Sequence, residues 1–261
     1  MSLLYTAKQY LKYYFKAKNL HGVHSPFVYT FNEQVLNDKR DFYAFTQIEQ
    51  LRKDYLKDTT VIDIEDLGAG SHKSTNTQKS ISQIAKSAAR TSYYGQLLFR
   101  IQQYYQYEQV LELGTSLGIG LSYLSKAYSA AKIVSIEGSK NICGIAQQHL
   151  AKLEIQNVDY HVGNFDDVLP TLMSSGYKPN MVVIDGNHRY EATKKYFEML
   201  WPILPDNALL VFDDIYWSEG MTKAWEEIKS HKDVFVTVDV FQFGLVFKRP
   251  EFTEQQHFML K

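Results

Sequence analysis

Cysteine is almost missing from this chain: Cys143 is the one thiol in 261 residues. A single cysteine excludes an intrachain disulfide and makes a reducing, cytoplasmic setting the default expectation. An excess of either charge is missing too. Lys and Arg number 28 against 29 Asp and Glu, a net charge of −1, which excludes a general electrostatic attraction to nucleic acid. No apolar run approaches the roughly 20 residues needed to span a bilayer. The first residues interleave Lys8, Lys12, Lys16 and Lys18 with aromatics, so they lack the continuous apolar stretch of a signal peptide. Internal repeats and low-complexity tracts are also absent. What is present is the composition of an ordinary globular protein, 45% hydrophobic and 22% charged, with 19 Tyr and 15 Phe, many of them in the first hundred residues.

The early part reads as helices without a parallel-strand rhythm. Over residues 4–18, Leu4, Ala7, Leu11, Tyr14 and Phe15 share one helical stripe, with Lys8, Lys12 and Lys16 beside it. The expectation is a helix packed on the main domain with its lysines in water; a membrane-surface or partner helix is the alternative. Ser25-Pro26 has the form of a helix start, Ser as N-cap and Pro at the first helical position. His21 and His24, with no carboxylate nearby, read as structural rather than metal-binding.

From residue 109 the rhythm changes. Strands are expected at 109–113, 132–137, 158–162, 181–185 and 208–213, with helices near 119–128, 140–153, 165–174, 190–201 and 218–230. Such alternation builds βαβ units and a parallel sheet covered on both faces. Two final runs, 234–240 and 243–248, are separated by Phe241-Gln242 alone, too short for a crossover, so they pair antiparallel or bend sharply.

The run VLELGTSLGIG, residues 110–120, follows a strand and opens a helix. Gly114 lets the strand turn, and Gly118 and Gly120 let a ligand approach the backbone at the helix N-terminus. The spacing G-x-x-x-G-x-G is not the G-x-G-x-x-G of a dinucleotide fingerprint, which disfavours an NAD-linked oxidoreductase. Glu137 closes the next strand 25 positions after Glu112, where a carboxylate can accept both hydroxyls of an adenosine ribose. ELGTSLGIG, VSIEGS, HVGNFDDVLP, VVIDGNHRYE and LLVFDD each end a successive strand, the edge at which open α/β sheets bind ligands.

Together these motifs resemble the class I S-adenosylmethionine-dependent methyltransferases, and more narrowly the small-molecule O-methyltransferases of the catechol and caffeoyl-coenzyme A type. The resemblance covers roughly residues 90–248, including a Gly-Gln helix start at Tyr94-Gly95-Gln96-Leu97. It implies an α/β fold with a doubly wound, mostly parallel seven-stranded sheet ending in an antiparallel strand. Residues 1–90 would form a helical, aromatic-rich extension or lid, and residues 91–261 the Rossmann-like cofactor domain. It also implies that Glu112, Gly114, Ser116, Gly118 and Gly120 line the methionine and ribose side, that Glu137 and Gly138 hold the ribose, and that Asn164 and Phe165 border adenine. Asp commonly stands in the family where this chain has Asn164. Asp66-Leu67-Gly68-Ala69-Gly70 also looks like a first methyltransferase motif, but a polar segment follows it with no strand ending in an acid, so it reads as an exposed loop.

For the chemistry, Asp185 closes one strand and Asp213-Asp214 the next. Three oxygen donors suit Mg²⁺ or another divalent cation. The catechol-type enzymes have Asn at the third place, where this chain has Asp214; the alternative is that Asp213 or Asp214 caps the following helix. Trp217 falls at the family's substrate-side loop. Asp185-Gly186-Asn187-His188-Arg189-Tyr190-Glu191 resembles the D-G-x-H-x-Y-E element of another methyltransferase branch, in which the histidine is a general base. The expected catalytic residues are therefore Asp185 and His188, with Asp185 also bordering the cofactor. The expected activity is methyl transfer to a hydroxyl of a small molecule. A non-catalytic cofactor-binding protein, or a methyltransferase acting on nitrogen or on a macromolecule, stands as the alternative. The expected partner is a small-molecule acceptor, with no nucleic acid, no transmembrane segment, and homodimer formation through the aromatic helices left open.

Overall fold

The computed structural model describes residues 3–19, 22–66, 75–88 and 91–261. His21 and residues 67–70 of the second glycine-containing motif lie outside them. The chain forms two compact units, one of residues 1–37 and 178–261, the other of residues 38–177. Among the described residues no helix is long and apolar enough to cross a membrane.

In chain order the first unit opens with α1 (Leu3–Lys16) and α2 (Pro26–Phe31), the latter continued by a wider turn over Asn32–Leu36. The unit of residues 38–177 then contributes α3 (Tyr43–Lys57), β1 (Val61–Asp66), β2 (Thr75–Ser80), α4 (Ile81–Ala88) and α5 (Ser92–Tyr105). It continues with β3 (Gln109–Leu113), α6 (Ile119–Ala127), β4 (Lys132–Glu137), α7 (Lys140–Lys152), β5 (Val158–Val162) and α8 (Phe165–Ser174). The chain returns to the first unit with β6 (Met181–Ile184), α9 (Tyr190–Leu200), β7 (Leu209–Phe212), α10 (Glu219–Lys229), β8 (Val236–Asp239), β9 (Gly244–Phe247) and β10 (Gln256–Met259).

Within residues 38–177, β3, β4 and β5 are parallel neighbours, with Glu112 opposite Ser135 and Ser135 opposite Tyr160. The helices between them supply the crossovers that parallel pairing requires. A core of Phe45, Ile48, Leu51, Tyr55, Phe99, Leu117, Tyr123 and Ile142 joins α3, α5, α6 and α7. Its polar atoms are paired: the Tyr55 hydroxyl donates to the Leu117 carbonyl at 2.9 Å and lies 2.8 Å from His149 Nδ1, and Tyr123 donates to Glu49 at 2.6 Å. Gly95 owes its identity to this core, because a Cβ there would stand 2.3 Å from the Tyr123 ring.

In the other unit β6 and β7 are parallel, β9 is antiparallel to both β7 and β8, and β10 runs parallel to β8. Every residue of β6, β7, β8 and β9 is buried, and β6, β7 and β9 accordingly read as near-continuous apolar runs. The final runs do pair antiparallel. The two parallel-rich sets hold eight strands rather than seven; the additional one is β10, a short strand with polar Gln256 and His257 that gives no apolar alternation. The early region is not purely helical either. β1 and β2 form a separate antiparallel ribbon, hidden from pattern reading because TNTQKS has no apolar residue at all.

Helix α1 reverses the expected facing. Tyr13 and Ala17 are buried, Tyr5 donates to Thr222 at 2.9 Å, and Tyr10 and Tyr13 pack their rings on Phe241 with centroids 4.9 and 5.4 Å away. The stripe of Leu4, Ala7, Leu11, Tyr14 and Phe15 points outward instead. α2 begins at Pro26 as expected, with Ser25 at the N-cap position, although the Ser25 side chain makes no capping bond.

Candidate active site

The loop after β3 is built by left-handed backbone. Gly114 has φ 102° and Gly118 φ 78°, conformations open to glycine at little cost. Gly118 is also the N-cap of α6, and a Cβ on it would lie 2.6 Å from Leu150 Cδ1. Between them Ser116 takes φ 46° without being glycine. That strained turn aims its N–H at Glu137 Oε2, 2.8 Å away. On the other side, Ser139 N–H donates to Glu137 Oε1 at 3.0 Å.

Glu137 at the end of β4 is thus fixed by amides from two successive βα loops. Burial raises its pKa above the ordinary carboxylate value, and the amides of Ser139, Ser116 and Gly138 oppose that rise. A carboxylate offers about four acceptor sites, so these donors leave capacity for a ligand hydroxyl. Gly138 lies between Glu137 and the N-cap Ser139 of α7, and Gly120 sits in the first turn of α6.

Glu112 is placed differently from Glu137. It is buried, and it accepts from the Ser135 hydroxyl at 2.8 Å; Thr115 Oγ1 continues the chain, 2.6 Å from Ser135 Oγ. Ser135 and Thr115 went unnoticed in the sequence. The signal was the strand register that sets Ser135 opposite Glu112, which becomes readable only once β3 and β4 are paired. Asn164 caps α8, its side-chain oxygen accepting from Asp166 N–H at 3.0 Å, and Phe165 is the half-buried first residue of that helix.

In the other unit the carboxyl ends of β6 and β7 carry Asp185, Asp213 and Asp214. His188 Nε2 lies 3.7 Å from Asp185 Oδ1 and 4.0 Å from Asp214 Oδ2, and its ring stands 6.3 Å from Trp217. The loop that presents it turns at Asn187, φ 55°, whose amide donates to the Tyr196 hydroxyl at 3.0 Å. Asp214 also adopts a left-handed φ, 57°, and its carbonyl accepts from Trp217 N–H at 2.9 Å.

Asp213 is 3% exposed, and its Oδ1 accepts from Asp214 N–H at 2.7 Å. Among the described residues no three His, Cys, Asp or Glu side chains gather in a way that could hold a metal ion. The placement of Asp185, Asp213 and Asp214 gives the expected metal role no support among the described residues, and no step is derived through a metal. Neither Asp213 nor Asp214 caps the following helix; Ser218 does, accepting from Met221 N–H at 3.1 Å.

Residues 111–215, which contain all of these strand ends, match the family model described as a methyltransferase domain. That segment is similar to methyltransferase domains. The O-methyltransferase TomG from Streptomyces achromogenes, solved with SAM, is similar over 85% of this chain and 95% of its own, at 20% identity and a TM-score of 0.58. An O-methyltransferase from Bacillus cereus in complex with SAH is 15% identical, covering 84% and 94% of the two chains at a TM-score of 0.55. The SAH-bound methyltransferase PaMTH1 of Podospora anserina is 10% identical, covering 88% and 97% at 0.61. No curated protein matches the chain. At these identities the structures establish the fold alone.

Proposed function

We propose that this protein transfers a methyl group from S-adenosylmethionine to a hydroxyl oxygen of a small molecule. The observation that carries the reading is Glu137, a carboxylate oriented by the amides of Ser116 and Ser139 inside the segment that matches the methyltransferase domain. The similar structures with SAM or SAH bound support the choice of cofactor.

When bound, the cofactor supplies an electrophilic methyl group on a sulfonium. The residues of this chain do the rest. Glu137 accepts the ribose hydroxyls, and Gly114, Ser116, Gly118 and Gly120 keep the loop backbone open to the ligand. Glu112 holds that loop from beneath through Ser135 and Thr115. Phe165 and Asn164 border the base. Holding two reactants in line is worth about 7–11 kcal/mol of the barrier. His188 accepts the proton of the acceptor hydroxyl at Nε2, and Asp185 and Asp214 beside it counter the charge the ring gains. General-base help of this kind contributes roughly 10²–10⁴-fold. The lone buried Cys143 accords with a cytoplasmic setting.

The test is calorimetric titration with S-adenosylhomocysteine, paired with a methyl-transfer assay on hydroxylated aromatic acceptors in the presence of EDTA. Micromolar affinity with turnover is expected. Absence of affinity for both S-adenosylhomocysteine and S-adenosylmethionine in the folded protein defeats the reading.

A further inference from the structure

Helix α1 has two apolar faces, and the fold uses one. Tyr13 and Ala17 are buried. The other face is left in solvent: Leu4 is 84% exposed, Leu11 56%, Tyr14 48% and Phe15 81%. With Ala7, also exposed, these positions follow the spacing of one continuous stripe on a helix. Exposed large apolar residues are ordinary when scattered; gathered along one helix they mark an interaction surface.

The chemistry beside the stripe selects the occupant. α1 carries Lys8, Lys12 and Lys16 and no acidic residue, in a chain whose net charge is −1. The three lysines are exposed and lie along one flank of the stripe. Lys261 adds a fourth cation: its ammonium lies 3.9 Å over the Tyr14 ring and donates to the Tyr14 carbonyl at 2.9 Å. Lysines bordering Leu, Phe and Tyr suit the boundary between lipid headgroups and acyl chains, where ring bodies bury and long cationic stems reach the phosphates. A second copy suits the stripe less well. Two-fold pairing of α1 with α1 would bring two lysine rows together with no acid on the helix to answer them.

We propose that the outer face of α1 docks the protein on an anionic membrane surface, with Phe15, Leu11 and Leu4 entering the interface and Lys8, Lys12 and Lys16 on the lipid phosphates. The inference stands independently of the methyl-transfer reading. Reversible, salt-sensitive, peripheral attachment follows from it, since a Debye length near 10 Å at about 0.1 M salt screens such lysines.

The experiment is co-sedimentation of the full chain with phosphatidylglycerol–phosphatidylcholine vesicles and, separately, with phosphatidylcholine vesicles. Size-exclusion chromatography with light scattering accompanies it. Binding to the anionic vesicles that weakens with salt is expected. Lys8→Gln with Lys12→Gln should weaken it about thirtyfold, and Leu11→Ser with Phe15→Ser roughly tenfold or more. All four side chains are exposed, so thermal unfolding of these variants should match the parent, which separates lost docking from lost folding. Equal binding to neutral vesicles, no binding at low salt, or a dimer that Phe15→Ser dissolves would each overturn the proposal.

Discussion

At the residue scale, Glu137 bears most of the weight, because it accepts backbone amides and is the group we propose for the ribose hydroxyls, and substitution can test both. Glu137→Gln keeps the shape and removes the charge, and one of its amide hydrogens must then face a backbone N–H of Ser116 or Ser139. Glu137→Ala leaves both of those donors without an acceptor. Losing a buried partner costs about 1–3 kcal/mol, so Glu137→Ala should weaken S-adenosylhomocysteine binding by roughly 10–100-fold in calorimetry. Equal affinity of parent and variant would show that the ribose is held elsewhere. His188 calls for a different readout. His188→Ala should lower kcat by about 10²–10⁴-fold while leaving S-adenosylhomocysteine affinity within about twofold, since its neighbours are Asp185, Asp214 and Trp217. A variant that loses cofactor affinity but keeps kcat would move His188 from the proton to the cofactor.

At the element scale, the contact between α5 and α6 depends on an absent side chain. Gly95→Ala would set its Cβ 2.3 Å from Tyr123 Cε2, and Tyr123 is wholly buried with its hydroxyl committed to Glu49. The ring has little room to yield. Overpacking of this kind costs about 1–3 kcal/mol, read as a lowered midpoint in urea unfolding. Gly95→Ala as stable as the parent would mean the two helices can part.

This scale also shows what the sequence makes legible. β6 and β7 announce themselves because both faces are buried and every residue is apolar, while β3 and β4 are marked by short apolar runs that end at the motif loops. The loop from Gly114 to Gly120 is legible because left-handed backbone demands glycine locally. β2 is not, since a polar ribbon carries no burial signal. The facing of α1 is not, because periodicity reveals an apolar stripe without revealing whether that stripe or the one through Tyr13 and Ala17 meets the core. The orientation of the carboxylates is not legible for a similar reason. Sequence puts Asp185, Asp213 and Asp214 at strand ends, but what each oxygen meets, such as Asp213 Oδ1 accepting from Asp214 N–H, is decided by the turn that follows.

The end of β8 gives a prediction in pH. Asp239 is buried, accepts from Tyr216 and from Phe241 N–H at 2.9 Å, and its pKa is pushed up from 3.8 to about 6, chiefly by burial. The folded state therefore binds this proton more tightly than the unfolded one. Stability from Asp239 is fully present below pH 3.8, declines as pH rises toward 6, and is gone above it. At about 1.4 kcal/mol per tenfold change in proton affinity, the swing is of the order of a few kcal/mol. Asp239→Asn should flatten the stability profile between those two values. An unchanged slope in urea melts across that window would show that Asp239 is not the group responsible.

At the scale of the whole molecule, the residues we propose for the methyl donor and those we propose for the proton belong to different compact units. Glu112, Gly114, Ser116, Gly118, Gly120, Glu137, Gly138, Asn164 and Phe165 all belong to residues 38–177, while Asp185, His188 and Asp214 belong to the other unit. The ligand S-adenosylhomocysteine, which carries no methyl group to transfer, should therefore act on the two units unequally. A ligand at a hundredfold excess over its Kd stabilises the state that binds it by about 2.7 kcal/mol, and for a chain of this size each kcal/mol moves Tm by roughly 2–4 °C. Hydrogen exchange should show where that energy is spent. The Ser116 and Ser139 amides, which donate to Glu137, should slow most, with protection spreading through β3, β4 and the first turns of α6 and α7. Amides of β8, β9 and β10 should change little. NAD, whose pyrophosphate the glycine spacing does not serve, should produce no comparable slowing. If S-adenosylhomocysteine instead protected β8 to β10 and left the loops at Gly114–Gly120 and Glu137–Ser139 untouched, the donor would have to be assigned to the other unit, and the role of Glu137 with it.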